Sequence, residues 1–213
     1  MNTLKWGAGA LLALGAIACV NVNAQEPVKK PKAGQDKKLM QAEIDKPVKD
    51  FKLKDLTKEL KDGEAEDKAL VTLSKFKDKK PVVLFFLSEK CSVTWRYEKR
   101  IGELVGKYGG KDVQFLGVRC SANDTEEGIV KFAESKNFGM PVLNDSKGEV
   151  ARFFKVRNTP TFVVIDKKGT MRYFGSFDDE PQESDVKTKF LPNAIVAVLS
   201  GKDVATKVTP PFG

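Results

Sequence analysis

The chain has 213 residues, 41% hydrophobic and 31% charged, which suits one ordinary domain with short extensions and excludes wholesale disorder. It contains no histidine and three cysteines, which excludes imidazole catalysis, histidine-ligated metal sites, a disulfide-rich scaffold and a four-thiolate zinc site. The 37 basic and 29 acidic residues leave a formal charge of +8, but lysines alternate with acids, as in Lys52-Leu53-Lys54-Asp55, so the excess reads as a solvated surface and not as a nucleic-acid stripe.

Lys5 is the sole charged side chain before Glu26, and Trp6 to Val20 is an apolar run rich in Gly, Ala and Leu. The run is shorter than the roughly 20 residues of a membrane-spanning helix, and Val22-Asn23-Ala24 presents small residues after it. Residues 1–24 are therefore expected to be a signal peptide cleaved after Ala24, placing the protein outside the cytoplasm. Ala16-Ile17-Ala18-Cys19 loosely resembles a lipoprotein cleavage box; if it is used, Cys19 becomes a lipidated membrane tether. Residues 25–46, rich in Lys and Pro, read as a flexible linker. A domain is expected over 47–201, followed by a C-terminal tail over 202–213.

Val48 to Leu56 alternates as an edge strand, and Leu70-Val71-Thr72-Leu73 is a second short strand. Pro81 to Leu87 is continuously apolar, the pattern of a strand buried on both faces. A helix follows, with Tyr97, Ile101, Leu104, Val105 and Tyr108 on one face and Gly109-Gly110 at its end. Val113 to Val118 is the next core strand, and Asp124-Thr125-Glu126-Glu127 opens a second helix. After a short extended piece at Pro141 to Leu143 comes a helix over Glu149 to Val156. Thr161 to Ile165 and Thr170 to Gly175 form a hairpin about Asp166 to Gly169, and Glu183 to Ser200 is a last helical region interrupted by Pro192. Strand–helix alternation of this kind predicts an α/β sheet with helices on both faces.

Cys91 leaves the first core strand and opens a helix, where free backbone N–H groups favour a thiolate over a thiol. Lys90 and Arg96 add positive charge nearby. Cys120 ends the neighbouring strand at the same edge of the sheet, the edge at which α/β proteins place their sites. Two readings of Cys120 stand open: a second redox thiol that resolves a mixed disulfide with Cys91, or a strand-end residue without a partner. The Thr94 hydroxyl is either a donor to the Cys91 thiolate or a helix cap.

These residues resemble the thioredoxin-like redoxins of the alkyl hydroperoxide reductase/thiol-specific antioxidant type. The resemblance covers about Pro47 to Gly201. Pro47-Val48-Lys49-Asp50-Phe51 is similar to the Pro-x-Asp-Phe opening of such domains, and Asn158-Thr159-Pro160-Thr161-Phe162 looks like their cis-proline loop. Exported bacterial redoxins carry Cys-Pro-x-Ala-Asn-Arg-Tyr; here Cys91, Arg96 and Tyr97 match, whereas Ser92, Thr94 and Trp95 do not. The resemblance implies a thioredoxin-like fold around a central mixed sheet. It also implies that the backbone of Thr159 beside Pro160 faces Cys91 and pairs with an extended substrate, with Trp95 and Arg96 on the same surface.

On that footing the first expected function is an exported thiol–disulfide oxidoreductase with Cys91 as nucleophile and Cys120 as the resolving candidate, acting on a protein or small-molecule thiol or disulfide. It needs no metal and no organic cofactor, and nucleic acid is not an expected partner. Thr94 stands where a dithiol thioredoxin has its second cysteine, and it offers no sulfur. The second reading is a thiol peroxidase, for which Arg157 and Arg119 are the arginine candidates. The third is a thioredoxin-fold binding module without catalysis.

Overall fold

The computed structural model describes residues 44–213. The expected leader, with Ala24 and Cys19, and the linker up to residue 43 lie outside the described residues. Strand β1 (Lys52–Lys54) pairs antiparallel with β2 (Leu70–Thr72) as a small separate ribbon. The expected strand over Val48 to Leu56 thus keeps just three residues, with Leu53 turned inward between two exposed lysines. Strand β3 (Val82–Leu87) is buried along its whole length, as its unbroken apolar run requires.

Helix α1 (Ser92–Arg96) and helix α2 (Glu98–Tyr108) replace the single helix expected after Cys91. The break falls at Tyr97, whose N–H closes a tight turn onto the Thr94 carbonyl at 3.1 Å while its ring enters the core. Strand β4 (Gln114–Arg119) follows, then α3 (Glu126–Ser135), whose first turn is capped by the Thr125 hydroxyl accepting from the Gly128 N–H at 2.9 Å. Strand β5 (Val142–Asn144), α4 (Glu149–Phe153), the hairpin β6 (Thr161–Ile165) and β7 (Met171–Gly175), and α5 (Phe190–Leu199) complete the chain order. Helix α5 is shorter than the expected 183–200. Pro192 occupies its first turn, where a missing N–H costs no hydrogen bond, and its ring prevents the helix from reaching back to residue 188.

The main sheet has the order β5-β4-β3-β6-β7. Strands β5, β4 and β3 run parallel, whereas β6 and β7 run antiparallel to their neighbours, so the sheet is mixed. Strand periodicity divides the core into two faces. Val83, Phe85 and Leu87 point to the side of Ile101, Ile129 and Ile195, beneath α2, α3 and α5. Val82, Leu84 and Phe86 point to the side of Val150 and Phe154, in and beside α4. The carboxyl ends of β3 and β4 and the start of β6 therefore meet along one edge. Among the described residues no helix is long and apolar enough to cross a membrane.

Candidate functional site

The site is built where β3 ends. Ser88 is buried and its hydroxyl donates to Asp124 Oδ1 at 2.8 Å while accepting from the Lys90 N–H at 3.2 Å. The Cys91 N–H bonds back to the Ser88 carbonyl at 3.2 Å. These bonds turn the chain sharply and leave Cys91 as the residue that caps α1, in an extended backbone conformation.

The Thr159–Pro160 peptide bond is cis, and the Cys91 thiol donates to the Thr159 carbonyl oxygen at 2.9 Å. Residues separated by 68 positions in sequence are thereby brought into contact. Pro160 is buried and Thr159 half-buried. Burial is the strongest single influence on Cys91 and pushes its pKa up. The Thr159 side chain, the Thr94 N–H, the Thr94 hydroxyl and the Val93 N–H together outweigh it, so the pKa lies below that of an ordinary cysteine. Thr94 is fully buried, and its hydroxyl has no hydrogen-bond partner while the sulfur keeps its proton. Ionisation of Cys91 supplies the missing acceptor, so the same hydroxyl that is unsatisfied beside the thiol stabilises the thiolate.

Trp95 is 53% exposed, unusually open for its size. Its indole N–H donates to the Glu89 carbonyl at 2.8 Å, its ring stacks on Phe132, and Lys136 lies over it at 5.7 Å from the centroid. These contacts hold Trp95 on the helix turn that Cys91 opens. The Arg96 side chain is exposed, and its carbonyl accepts from Arg100 Nη2 at 3.2 Å.

Arg100 also enters the fold, although the sequence does not single it out. It is buried against Asp178 in an ion pair, bonds the carbonyls of Glu180 and Pro181, and lies 4.1 Å from the centre of the Tyr97 ring. Burial also raises the Asp178 carboxyl, and the Arg100 guanidinium opposes that rise. Its position offers the missing signal: Arg100 falls between Tyr97 and Ile101 on the apolar face of the helix, where a charge requires a buried partner. Tyr97, one of the motif residues, packs on Phe162 and Phe177 and serves the core.

Cys120 is a free thiol, as is Cys91. It follows β4 and, partly buried, packs against the apolar cluster on the face of the sheet covered by α4. Burial, then the charges of Asp145 and Asp124, push its pKa up to about 12, with Arg119 opposing. Asp145 is itself committed to the first turn of α4, accepting from the N–H groups of Val150 and Ala151. The Arg119 guanidinium is buried and bonds Asn144 Oδ1 at 2.8 Å and the Asp124 carbonyl. Among the described residues no cluster of acids, cysteines or histidines is arranged to hold a metal ion.

The model of the AhpC/TSA family matches residues 44–174. Among solved structures, a hypothetical protein from Sinorhizobium meliloti is similar at 27% identity and a TM-score of 0.68, covering 80% of this chain and 91% of its own. An uncharacterized conserved protein from Geobacillus kaustophilus is similar at 24% identity and a TM-score of 0.67, covering 79% and 88%. A secreted Mycobacterium tuberculosis disulfide oxidoreductase, homologous to Escherichia coli DsbE, is similar at 18% identity and a TM-score of 0.52, covering 69% and 95%. No curated protein matches the sequence. The likeness to the last of these structures and the mixed sheet beside a cis-proline loop make the fold thioredoxin-like.

Proposed function

The chain belongs to the AhpC/TSA family, and from that premise we propose that it is an exported thiol–disulfide oxidoreductase with Cys91 as its nucleophile. The observation that carries the reading is the Cys91 sulfur itself: half-exposed at the head of α1, against the Thr159 carbonyl, with its pKa lowered by the donors of Thr159, Thr94 and Val93. The Cys91 thiolate attacks one sulfur of a substrate disulfide. A mixed disulfide forms, and the other substrate sulfur departs as a thiolate. A second thiolate then attacks either the substrate-derived sulfur, which restores Cys91 as the leaving thiolate, or the Cys91 sulfur, which expels the reduced substrate and leaves a new disulfide on Cys91.

An external thiol fits that second step better than Cys120, whose pKa of about 12 leaves it protonated at neutral pH. Disulfide exchange is preferred to peroxide reduction because Arg119, one of the two arginine candidates, is tied to Asn144 and Asp124. Trp95 is the flat apolar surface beside the sulfur on which a substrate rests. Export is supported by the pattern from Lys5 to Ala24, and the Mycobacterium protein is likewise described as secreted.

The reading is tested with the purified domain, a small disulfide and a protein disulfide, under a glutathione reductant. Cys91→Ser should lower exchange by about a thousandfold, since the remaining hydroxyl offers no thiolate. Cys120→Ser should change it less than about twofold. Exchange that survives in Cys91→Ser would sink the assignment, and peroxide consumption lost in the same variant would replace it with a thiol peroxidase.

A further inference from the structure

The last residues of the chain follow a defined path to Cys91. Val208 forms a parallel bridge with Phe174 on the outer edge of β7. The Phe174 N–H donates to the Lys207 carbonyl and the Thr209 N–H to the Phe174 carbonyl, both at 3.0 Å. Strand β7 is antiparallel to β6, and Gly175 is in register with Phe162, near the start of β6. A segment running parallel to β7 is therefore delivered towards Pro160 and Thr159.

Thr209 anchors this path. It is buried, and its hydroxyl bonds the Tyr173 hydroxyl at 2.7 Å and accepts from the Ser176 N–H at 2.9 Å. Gly175 permits the approach, because a Cβ there would collide with the Thr209 hydroxyl and lie 2.5 Å from its carbonyl oxygen. Beyond the anchor Pro211 is buried, and Phe212 packs on the core face that holds Leu87, Tyr97 and Phe162. Gly213 ends on the peptide of Thr159: a Cβ added to it would strike the Thr159 carbonyl oxygen and stand 3.1 Å from the carbonyl carbon. That oxygen is the one that accepts from the Cys91 thiol. One carbonyl thus carries the nucleophile and the 210–213 segment together.

We propose that residues 210–213 cover the Thr159 backbone and so select small disulfides over extended polypeptide disulfides, a selectivity that rests on the disulfide-exchange reading of Cys91. A polypeptide disulfide that reaches the Cys91 sulfur meets the segment packed on the adjoining Thr159 peptide. A small disulfide needs nothing beyond the half-exposed sulfur. Displacing the segment opens the site to the larger class.

The test compares the full chain with a variant lacking residues 210–213, which keeps the Thr209 anchor. Gly175→Ala serves as a second variant that dislodges the segment without shortening it, and circular dichroism melts show that each is folded. Cys91 labelling is followed by mass, with iodoacetamide as the small probe and a polyethylene-glycol maleimide as the large one. The maleimide rate should rise about tenfold in both variants while the iodoacetamide rate stays within about threefold. Insulin reduction should rise in parallel, with reduction of oxidised glutathione little changed. Labelling rates that match the full chain for both probes would overturn the cover. Shifted labelling with no exchange on either disulfide in any variant would instead remove the disulfide-exchange reading, and the selectivity with it.

Discussion

Cys91 and Cys120 leave neighbouring parallel strands at the same edge of the sheet, with Leu87 and Arg119 paired in register just before them. Their chemistry nevertheless diverges. Beyond Leu87 the chain turns through Ser88 into α1, and Cys91 meets hydroxyl and N–H donors that favour the anion. Beyond Arg119 the side chain of Cys120 packs, partly buried, against the apolar cluster on the α4 side, where Asp145 and Asp124 oppose a negative charge. Strand topology gives both thiols the same address. The polarity of the first few groups around each sulfur sets which thiol is the more acidic.

The sharpest way to break this contrast is to label both thiols in one sample. At pH 7 a thiol of ordinary pKa and one of about 12 differ about a thousandfold in thiolate population, and Cys91 lies on the more acidic side of ordinary. The weaker basicity of the Cys91 sulfur gives back about thirtyfold, so Cys91 should be alkylated about thirtyfold faster or more. Equal rates by quenched mass analysis would erase the distinction.

A smaller effect isolates the donor. Thr94→Val removes the buried hydroxyl at nearly constant shape, so the Cys91 pKa should rise and exchange at pH 7 fall about threefold. The melting temperature should hold or increase, because the hydroxyl is unsatisfied beside the protonated thiol. A pH–rate profile for Cys91 alkylation that superimposes on wild type would show that Thr94 merely fills space.

The least effect lies on the other thiol, and it is a stability effect. Cys120 keeps its proton in the folded state up to about pH 12, whereas the unfolded chain loses it near pH 9. The folded state therefore binds more protons between those values, and stability falls as pH rises through that window. The slope due to Cys120 is at most about 1.4 kcal/mol per pH unit. Urea melts of wild type and Cys120→Ser should agree at pH 8 and separate steadily above pH 9, the variant losing less. Parallel curves through that range would mean that Cys120 is already ionised in the folded protein.

Much of this frame was legible in one dimension. The apolar runs Val82–Leu87 and Thr161–Ile165 announced central strands because a strand buried on both faces has no polar positions to show. The acidic run at Asp124-Thr125-Glu126-Glu127 announced the start of α3, because carboxylates favour the positive end of a helix. Cys91 stood out because a strand-to-helix junction is visible in the pattern. Other features were hidden. Nothing local marks Tyr97 as the point where the expected helix divides, since the break follows from where its ring packs on Phe162 and Phe177. The partner of Arg100 lies 78 positions away at Asp178, in a loop with no periodic signal.

The sequence by itself determined the alternation of elements, the two-faced core and the presence of a cysteine at a helix start, because all three depend on local periodicity and local backbone chemistry. The tertiary structure alone decided that Thr159 faces Cys91, that Cys120 sits among apolar groups and acids, and that Thr209 carries residues 210–213 to the same carbonyl. Those relations join residues far apart in the chain. They are set by sheet order and by which face each side chain takes, and no window of neighbouring residues contains that information.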